Sequence, residues 1–315
     1  MKRTIKSIIA AASAAFMCAA PVLTSVSSTP IVNSISASAA VYSNAYESFD
    51  NNWVPSISGV SNGVTKVNLG HVDYEFDRNT KTAKIVGMDK QDSCIKFPKG
   101  INVNGDFYAT TAIGDNAFQN KDGKKLANGK AAPKGAALKK VDLSAAVNLK
   151  VIGNGAFDGC TQLTGSMKLS KTLKTIGNYA FRNTAITEIS YTVEDRKPVS
   201  VLEKIGNEAF MNCKSLPKIY LPATVDTVGT KAFYNSGITL ANFAGPNGKA
   251  ITINNLAFAN CSKLNSIGTD RIATGSCNNA FDNCASNANV HAYTSSLGTK
   301  GVESFTSTFT ALKKK

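Results

Sequence analysis

The chain has 315 residues, of which 43% are hydrophobic, and a formal net charge of +14. This length allows two ordinary domains or one elongated repeat array, and no second apolar stretch after the N-terminal run is long enough to span a membrane. The positive charge favours acidic surface polymers or acidic proteins over nucleic acid as partners, unless it serves solubility alone.

The N-terminus has the three parts of a secretory signal peptide: a basic start, an apolar run and a site of small residues. The apolar run, Ile8 to about Val22, contains Pro21 and is shorter than the ~20 residues of a spanning helix, which disfavours a membrane anchor. We predict a signal peptide over residues 1–39, of the long Gram-positive type, cleaved after Ala39 or Ala40. Cleavage would lower the formal charge from +14 to +11, because this segment carries three basic and no acidic residues: Lys2, Arg3 and Lys6.

Residues 40–73 form an N-terminal extension that carries four aromatic side chains: Tyr42, Tyr46, Phe49 and Trp53. Such aromatics can anchor a partner or stack on sugar, or they can cover the open end of a repeat array. After them, Tyr74–Asp77 and Thr82–Ile85 flank a polar turn and predict a strand-turn-strand hairpin.

A repeat of the form Ile-Gly-x-x-Ala-Phe-x-x-Cys is the strongest signal in the chain. Ala-Phe recurs seven times, and the intervals between successive Phe residues are 39, 24, 29, 23, 25 and 23. Most of these intervals match a leucine-rich repeat, and the two long ones predict loop insertions at Lys121–Ala137 and Thr192–Ser200. In the last copy Ser276-Cys277 replaces Ile-Gly, so that copy has decayed. The phenylalanines are Phe118, Phe157, Phe181, Phe210, Phe233, Phe258 and Phe281.

Each repeat predicts a short strand, a turn and a compact return segment that bury one another's apolar faces when stacked. The strand positions alternate, as in Leu216, Ile219 and Leu221, and Pro222 ends the strand. The Gly after Ile suits a left-handed turn or a close backbone approach. We predict a structural ladder of the seven Phe rings inside the stack, rather than a ligand site.

Six cysteines remain after signal cleavage, and four of them belong to the repeat: Cys160, Cys213, Cys261 and Cys284. Neighbouring repeats lie ~4.8 Å apart, so cysteines two repeats apart exceed the ~7 Å limit for a disulfide. These cysteines are therefore predicted to be small buried fillers, interchangeable with Thr184 and Ser236. Cys261–Cys284 and Cys94–Cys277 stay open as possible disulfides.

At this point the pattern resembles the BspA-like leucine-rich repeat, also called the Treponema pallidum type. Leu216 to Ser236 is the clearest copy, and the resemblance covers about Tyr74 to Tyr293. It implies an α/β repeat fold, a leucine-rich-repeat solenoid with parallel strands on one face and turns or short helical segments on the other. We assign residues 74–293 to this domain, with the hairpin as its N-terminal cap. Residues 294–315 form the C-terminal cap, with a short helix from Gly301 to Leu312.

The resemblance implies a bacterial secreted or cell-surface protein that binds or adheres, and it carries no catalytic residues. We find no motif for a nucleophile, phosphate or metal, and His71 and His291 lie at opposite ends of the array. We therefore predict no enzyme, no cofactor and a monomer that binds an extracellular protein through its sheet face. The alternative is a cell-wall or carbohydrate-associated protein that binds anionic polymer. Its candidate site, otherwise a solvated loop, is a basic cluster: Lys121, Lys124, Lys125, Lys130, Lys134, Lys139 and Lys140.

Overall fold

The computed structural model describes residues 34–36, 54–88, 94–120, 138–194, 197–243, 250–274, 279–292, 302–306 and 313–314. Only the backbone is described at residues 34–36, 193–194, 197–199, 292 and 313–314. Contacts divide the chain into Met1–Pro30 and Ile31–Lys315, and every described residue belongs to the second unit.

The described residues form 23 strands and one short helix, α1, at 302–306. The strands are β1 (Ser34–Ser36), β2 (Ser56–Ile57), β3 (Lys66–Leu69), β4 (Val72–Asp77), β5 (Thr82–Met88), β6 (Cys94–Lys96), β7 (Gly100–Val103), β8 (Asp106–Ile113), β9 (Lys140–Asp142), β10 (Val151–Ile152), β11 (Thr164–Leu169), β12 (Thr175–Ile176), β13 (Ala185–Glu194), β14 (Lys197–Val199), β15 (Lys204–Ile205), β16 (Lys218–Tyr220), β17 (Thr227–Val228), β18 (Leu240–Phe243), β19 (Ala250–Ile253), β20 (Ser266–Thr269), β21 (Ile272–Thr274), β22 (Asn289–Ala292) and β23 (Lys313–Lys314).

An antiparallel unit, β3–β4–β5, begins the array and confirms the predicted hairpin. Strand β5 then pairs in parallel with β8, which starts the repeats. On the outer side of β3 lies β1, in parallel register from Ser34 opposite Lys66 to Ser36 opposite Asn68. Because β1 falls inside the predicted signal peptide, cleavage after Ala39 or Ala40 would leave β3 as the edge of the sheet.

Each of the first six copies contributes to the first sheet a strand that ends at its Ile-Gly position, and β21 precedes the decayed seventh copy. The order β8–β10–β12–β15–β17–β19–β21 is parallel throughout. The inward residues of these strands are fully buried and form a column of β-branched side chains: Ile113, Ile152, Ile176, Ile205, Val228 and Ile253. Alternation then leaves the intervening residues, such as Thr175 and Lys204, on the outside.

A second parallel face is formed by the Leu-x-x-Ile-x-Leu part of the repeat. It comprises β6–β9, β11–β13 and β16–β18–β20–β22, all parallel. Its inward residues, such as Leu216, Ile219 and Leu221, are at most 2% exposed. Residues Thr192–Ser200, which we predicted as a loop, instead contain an antiparallel hairpin of β13 with β14.

The return segments around Ala-Phe are turns and not helices in the described repeats, so the helical part of the α/β prediction is not confirmed. Their backbone amides bond to the next repeat: Phe157 donates to the Ala180 carbonyl at 2.8 Å, and Phe181 to that of Ala209 at 2.8 Å. The residues two before and two after each Phe, here called positions −2 and +2, have left-handed backbone in most repeats. Left-handed residues at these positions therefore keep the return segment extended. Each repeat thus has three hydrogen-bonded sides: the first sheet, the second face and the return segment.

The seven phenylalanine rings form a continuous stack inside the array, as predicted. Successive ring centroids lie 5.3, 5.2, 5.2, 5.2, 4.9 and 5.1 Å apart, with the planes within 12° of parallel. Phe97 extends the stack at one end and Phe305 closes it at the other. This stack runs the length of the repeats and belongs to the hydrophobic core.

The glycine after Ile is required by close packing rather than by a left-handed backbone. A Cβ on Gly177 would meet backbone atoms of Gly153 and Asn154 at 2.7 Å, and Gly206 is equally confined. Neither has a positive φ. Of the two alternatives from the sequence, only the close approach holds.

Helix α1 lies at the C-terminal end of the array, within the helix predicted from Gly301 to Leu312. Phe305 is fully buried and packs on Phe243 and Phe281. The Ser304 hydroxyl donates to the Ala273 carbonyl of β21 at 2.8 Å. The last strand of the first sheet is thus covered by a side chain of the cap.

Candidate functional site

The repeat cysteines are buried hydrogen-bond donors. Each thiol donates to the backbone carbonyl of the Phe in the preceding repeat. Cys160 donates to the Phe118 carbonyl at 3.1 Å, and Cys261 to the Phe233 carbonyl at 3.0 Å. Burial raises the pKa of Cys160 to about 12 and that of Cys213 to about 11. Protonated thiols are poor nucleophiles and poor metal ligands, so this geometry supports the structural assignment.

Cys261 and Cys284 are both free thiols, which excludes the Cys261–Cys284 disulfide from this structure. Cys94 is disulfide-bonded, whereas Cys277 lies outside the described residues. The Cys94–Cys277 alternative therefore stays a prediction.

Two ladders of asparagine side chains, which we did not predict, join the return segments. At position +2, Asn212 donates to Asn183 at 2.8 Å and Asn235 donates to Asn212 at 2.7 Å. At position −3, the side-chain oxygen of Asn178 accepts the backbone N–H of Asn207 at 2.8 Å. The recurrence of Asn at these spacings was visible in the sequence, and at position +2 the tolerance of Asn for left-handed backbone was the missed signal.

A salt-bridge network spans three repeats on the outer side of the return segments. Arg182 contacts Asp158 through Nε at 2.9 Å and Nη2 at 2.8 Å, and Glu208 through Nη1 at 3.2 Å. Gln119 also donates to Asp158, at 2.9 Å. The hydrogen bond to Asp158 is the main cause that raises the pKa of Arg182. This arrangement fixes Arg182 over the ring of Tyr179, 4.5 Å from its centroid.

The second face is open to solvent over only part of its length. We call its open part, on β9, β11, β13 and β16, the strand window; its outward side chains are Lys140, Asp142, Ser166, Lys168, Glu188, Ser190, Lys218 and Tyr220. Tyr220 is 46% exposed, while Asn242, its partner on the next strand, is only 9% exposed. Gly268, opposite Asn242, is buried as well. In the row of Tyr220 exposure therefore ends at Asn242, while Leu240 and Ser266, in the row of Lys218, stay partly exposed.

The second insertion borders the strand window. The β13–β14 hairpin continues directly from β13. The basic insertion immediately precedes β9 in the chain, but Lys121, Lys124, Lys125, Lys130 and Lys134 lie outside the described residues. Of the basic cluster, the structure places Lys139 in the exposed approach to β9 and Lys140 on β9 itself. It thus brings two of the seven predicted lysines to the window.

In the described residues no group of three or more His, Cys, Asp or Glu side chains is placed to hold a metal ion. His71 lies in the cap turn and His291 on β22. None of the described helices has the length and apolar character needed to cross a bilayer. The aromatic side chains of the N-terminal extension, Tyr42 to Trp53, lie outside the described residues.

The profile of the BspA type leucine-rich repeat region matches six copies, over residues 129–244 and 192–309. Together these spans cover more than half of the chain. The chain belongs to the BspA-type leucine-rich repeat family. No curated protein matches it significantly.

Solved leucine-rich-repeat structures resemble parts of the chain. The T. pallidum leucine-rich repeat protein is 21% identical, with 65% of this chain and 83% of that chain covered and a TM-score of 0.48. The pneumococcal vaccine antigen PcpA is 13% identical, with 79% and 98% covered and a TM-score of 0.38. A leucine-rich repeat protein from Bacteroides capillosus is 19% identical, with 51% and 85% covered and a TM-score of 0.29.

Proposed function

We propose that the protein is exported and binds a partner protein through the strand window. Family membership and the N-terminal signal pattern support a place outside the cell or on its surface. The observation that carries the binding proposal is the change in exposure along one continuous face, from Tyr220 at 46% to Asn242 at 9%. The window holds the most exposed outward side chains of this face, whereas Asn242 and Gly268 on the later strands are buried.

The chemistry of the strand window suits a folded protein partner. Tyr220 offers an aromatic anchor of the kind enriched at interaction hot spots. Around it lie charges of both signs, Lys168, Glu188 and Lys218, which can set orientation. Asp142 already lies 4.0 Å from Lys96, so part of this charge is paired. Mixed charge and an aromatic centre favour a specific protein surface over a uniform polymer.

Binding to purified extracellular matrix proteins and to purified surface proteins of neighbouring bacteria tests this proposal. Tyr220→Ala is expected to weaken a true partner by tenfold or more, the scale of a hot-spot truncation of about 1.4 kcal/mol. Thr175→Ala, on the outward side of the first sheet, is the matched control and is expected to leave affinity unchanged. No partner bound more tightly than about micromolar across these probes, or equal losses from both variants, would count against the window.

A second candidate function is binding to anionic wall polymer through the basic insertion. The position of this insertion directly before β9, with Lys139 exposed beside the window, favours it. Exchange of the five lysines of the insertion, together with Lys139 and Lys140, for Ser is expected to abolish binding to purified teichoic acid. Binding should also fall steeply with salt, because the screening length shortens from about 10 Å at 0.1 M to about 3 Å at 1 M. Unchanged binding by the Ser variant would reject this function.

A test of export is direct. N-terminal sequencing of protein recovered from the culture medium or cell surface is expected to start at Ala40 or Val41. A start upstream of Ser34 would keep β1 in the mature fold and contradict the predicted cleavage site.

A further inference from the structure

Four successive repeats carry bulky side chains at position −2, where the backbone is left-handed. Tyr179 has φ 60°, Glu208 54°, Lys231 56° and Leu256 56°. The preceding repeats have Asn116 and Gly155 there, the residue types that tolerate this backbone.

A left-handed backbone costs an ordinary residue a factor of roughly five to thirty in the folding equilibrium. Glycine or asparagine at all four sites would avoid this cost within the same repeat. Strain that is kept in one contiguous place points to a role for the side chains themselves.

These residues are neighbours in space, in register from one repeat to the next. The amides of Tyr179, Glu208 and Lys231 each bond to the carbonyl at position −3 of the following repeat, at 2.8, 2.9 and 2.9 Å. Arg182, Met211, Tyr234 and Ala259 form a parallel row one residue after each Phe. We call these two rows the return stripe. Tyr179 is 37% exposed, and the remaining stripe residues are partly exposed except for buried Ala259.

The return stripe is self-complementary when read in opposite directions. At position −2 the order is Tyr179, Glu208, Lys231, Leu256: apolar, negative, positive, apolar. A second copy related by a two-fold axis along the return segments, between the repeats of Glu208 and Lys231, reverses this order. Glu208 then faces Lys231 of the other copy, and Tyr179 faces Leu256.

The second row fits the same two-fold axis. Met211 and Tyr234 lie on either side of it and face each other across the copies, which is a favourable sulfur–aromatic contact. Lys231 is held near the ring of Tyr234, 5.7 Å from its centroid, and Glu208 is oriented by Arg182 at 3.2 Å. Both charged groups are thus positioned before a partner arrives.

We propose that the return stripe is the contact surface of an antiparallel homodimer. This goes beyond the strand window, with which the stripe shares no residue, and it replaces the monomer expected from sequence. Because the stripe is narrow, the dimer is weak and depends on concentration. It leaves the window of each copy free and so presents two binding sites.

Sedimentation equilibrium of the full chain over a range of concentrations tests the proposal by charge exchange. K231E places like charges opposite Glu208, and E208K places like charges opposite Lys231, so each is expected to weaken dimerisation by tenfold or more. An equimolar mixture of the two variants restores opposite charges at both contacts and is expected to dimerise like the wild type. K204E, the same charge change on the outward side of the first sheet, is the matched control and should have no effect.

A second pair of variants separates the interface from the fold. Tyr179→Asn and Leu256→Asn give position −2 the residue found at Asn116, so they should keep or raise the thermal midpoint while weakening the dimer. Asp158 continues to hold Arg182 through two hydrogen bonds in these variants and in E208K.

A wild-type chain that stays monomeric at every concentration would overturn the proposal. So would a dimer that K231E and K204E affect equally, or a mixture of E208K and K231E no better than either alone. Because K231E and K204E are compared directly, the test stands even if E208K fails to fold. Loss of partner binding by Tyr220→Ala with an intact dimer would show that the two surfaces act independently.

Discussion

The strand window and the return stripe both display variable residues, but they do so on different backbones. The window lies on regular β-strands, where Lys218 or Tyr220 adopts an ordinary extended conformation. The stripe lies on left-handed residues, where Glu208 and Lys231 are disfavoured relative to Gly or Asn. Variation in the window is therefore conformationally neutral, whereas variation in the stripe opposes the fold. The residue types of the stripe are therefore harder to explain by folding alone than those of the window, although the window is more exposed.

The largest effect is expected in the shared interior beneath both surfaces. Phe210 is 1% exposed and stacks on Phe181 and Phe233, each at 5.2 Å. Phe210→Ala should lower the free energy of unfolding in urea by about 3–5 kcal/mol, because it removes a ring and leaves a cavity in the stack. Tyr220→Ala in the window should cost under about 0.5 kcal/mol. Similar losses for both would mean that the ladder is not the core.

Alkaline pH should weaken the interior of the array. Burial raises the pKa of Cys213 from 9.0 to about 11, so the folded state keeps this proton after the unfolded state has lost it. The stabilisation is complete below about pH 9 and is lost as pH rises toward 11. Between these two pH values the free energy of unfolding should fall by up to about 1.4 kcal/mol per pH unit for this thiol.

Urea unfolding at several pH values between these limits measures the slope. Cys213→Ser is the matched control, because Ser236 fills the equivalent position in this chain. It should make the dependence less steep, and the other repeat thiols with a raised pKa should retain the rest. The same slope in both proteins would contradict the assignment to this thiol.

The asparagine ladder at position +2 lies next to the second row of the stripe. Asn212 has φ 62°, donates to Asn183 and accepts from Asn235. Asn212→Ala should cost about 2 kcal/mol, since it loses two amide hydrogen bonds and places Ala in a left-handed backbone. Asn212→Gly should cost less, because Gly159 already occupies this position in another repeat. If Gly costs as much as Ala, backbone conformation contributes little.

The smallest effect gives the most direct comparison of the two surfaces. Lys231→Gly should raise the stability of the monomer by up to about 1 kcal/mol, since it relieves a left-handed residue. Lys218→Gly, the same change on a regular strand, should lower it by about 0.5–1 kcal/mol. Thermal unfolding at low protein concentration separates the two signs. Destabilisation by both variants would remove the argument from strain.

Much of this fold can be predicted from sequence because the same pattern occurs in several copies, which together remove the ambiguity of any single one. One Phe or Cys alone is uninformative, but seven Phe residues in register identify a stacked interior. The terminal hairpin at Tyr74–Ile85 was equally predictable, since its strands alternate around a polar turn.

The conformation of the return segment and the extent of the strand window depend on contacts between repeats, which the sequence of a single repeat does not indicate. The family resemblance implied turns or short helical segments in the return segment, and only hydrogen bonds such as that from the Phe157 amide to the Ala180 carbonyl decide between them. The strand window was predictable only as a class of exposed strand positions. Its boundary at Asn242 depends on what covers the later strands, which no local pattern encodes.

The hydrogen bonds of the return segments also give the array an electrical direction. In the repeats of Phe118 to Phe233, the amides at −2, at Phe and at +2 point toward the C-terminal end, as Tyr179, Phe181 and Asn183 do, and their carbonyl counterparts point back. Aligned peptide dipoles act as partial charges at the two ends of a stack, as they do in a helix. Here the positive pole lies toward Phe281 and the negative pole toward Phe118. The lysine-rich insertion begins at Lys121, immediately after the return segment at the negative pole.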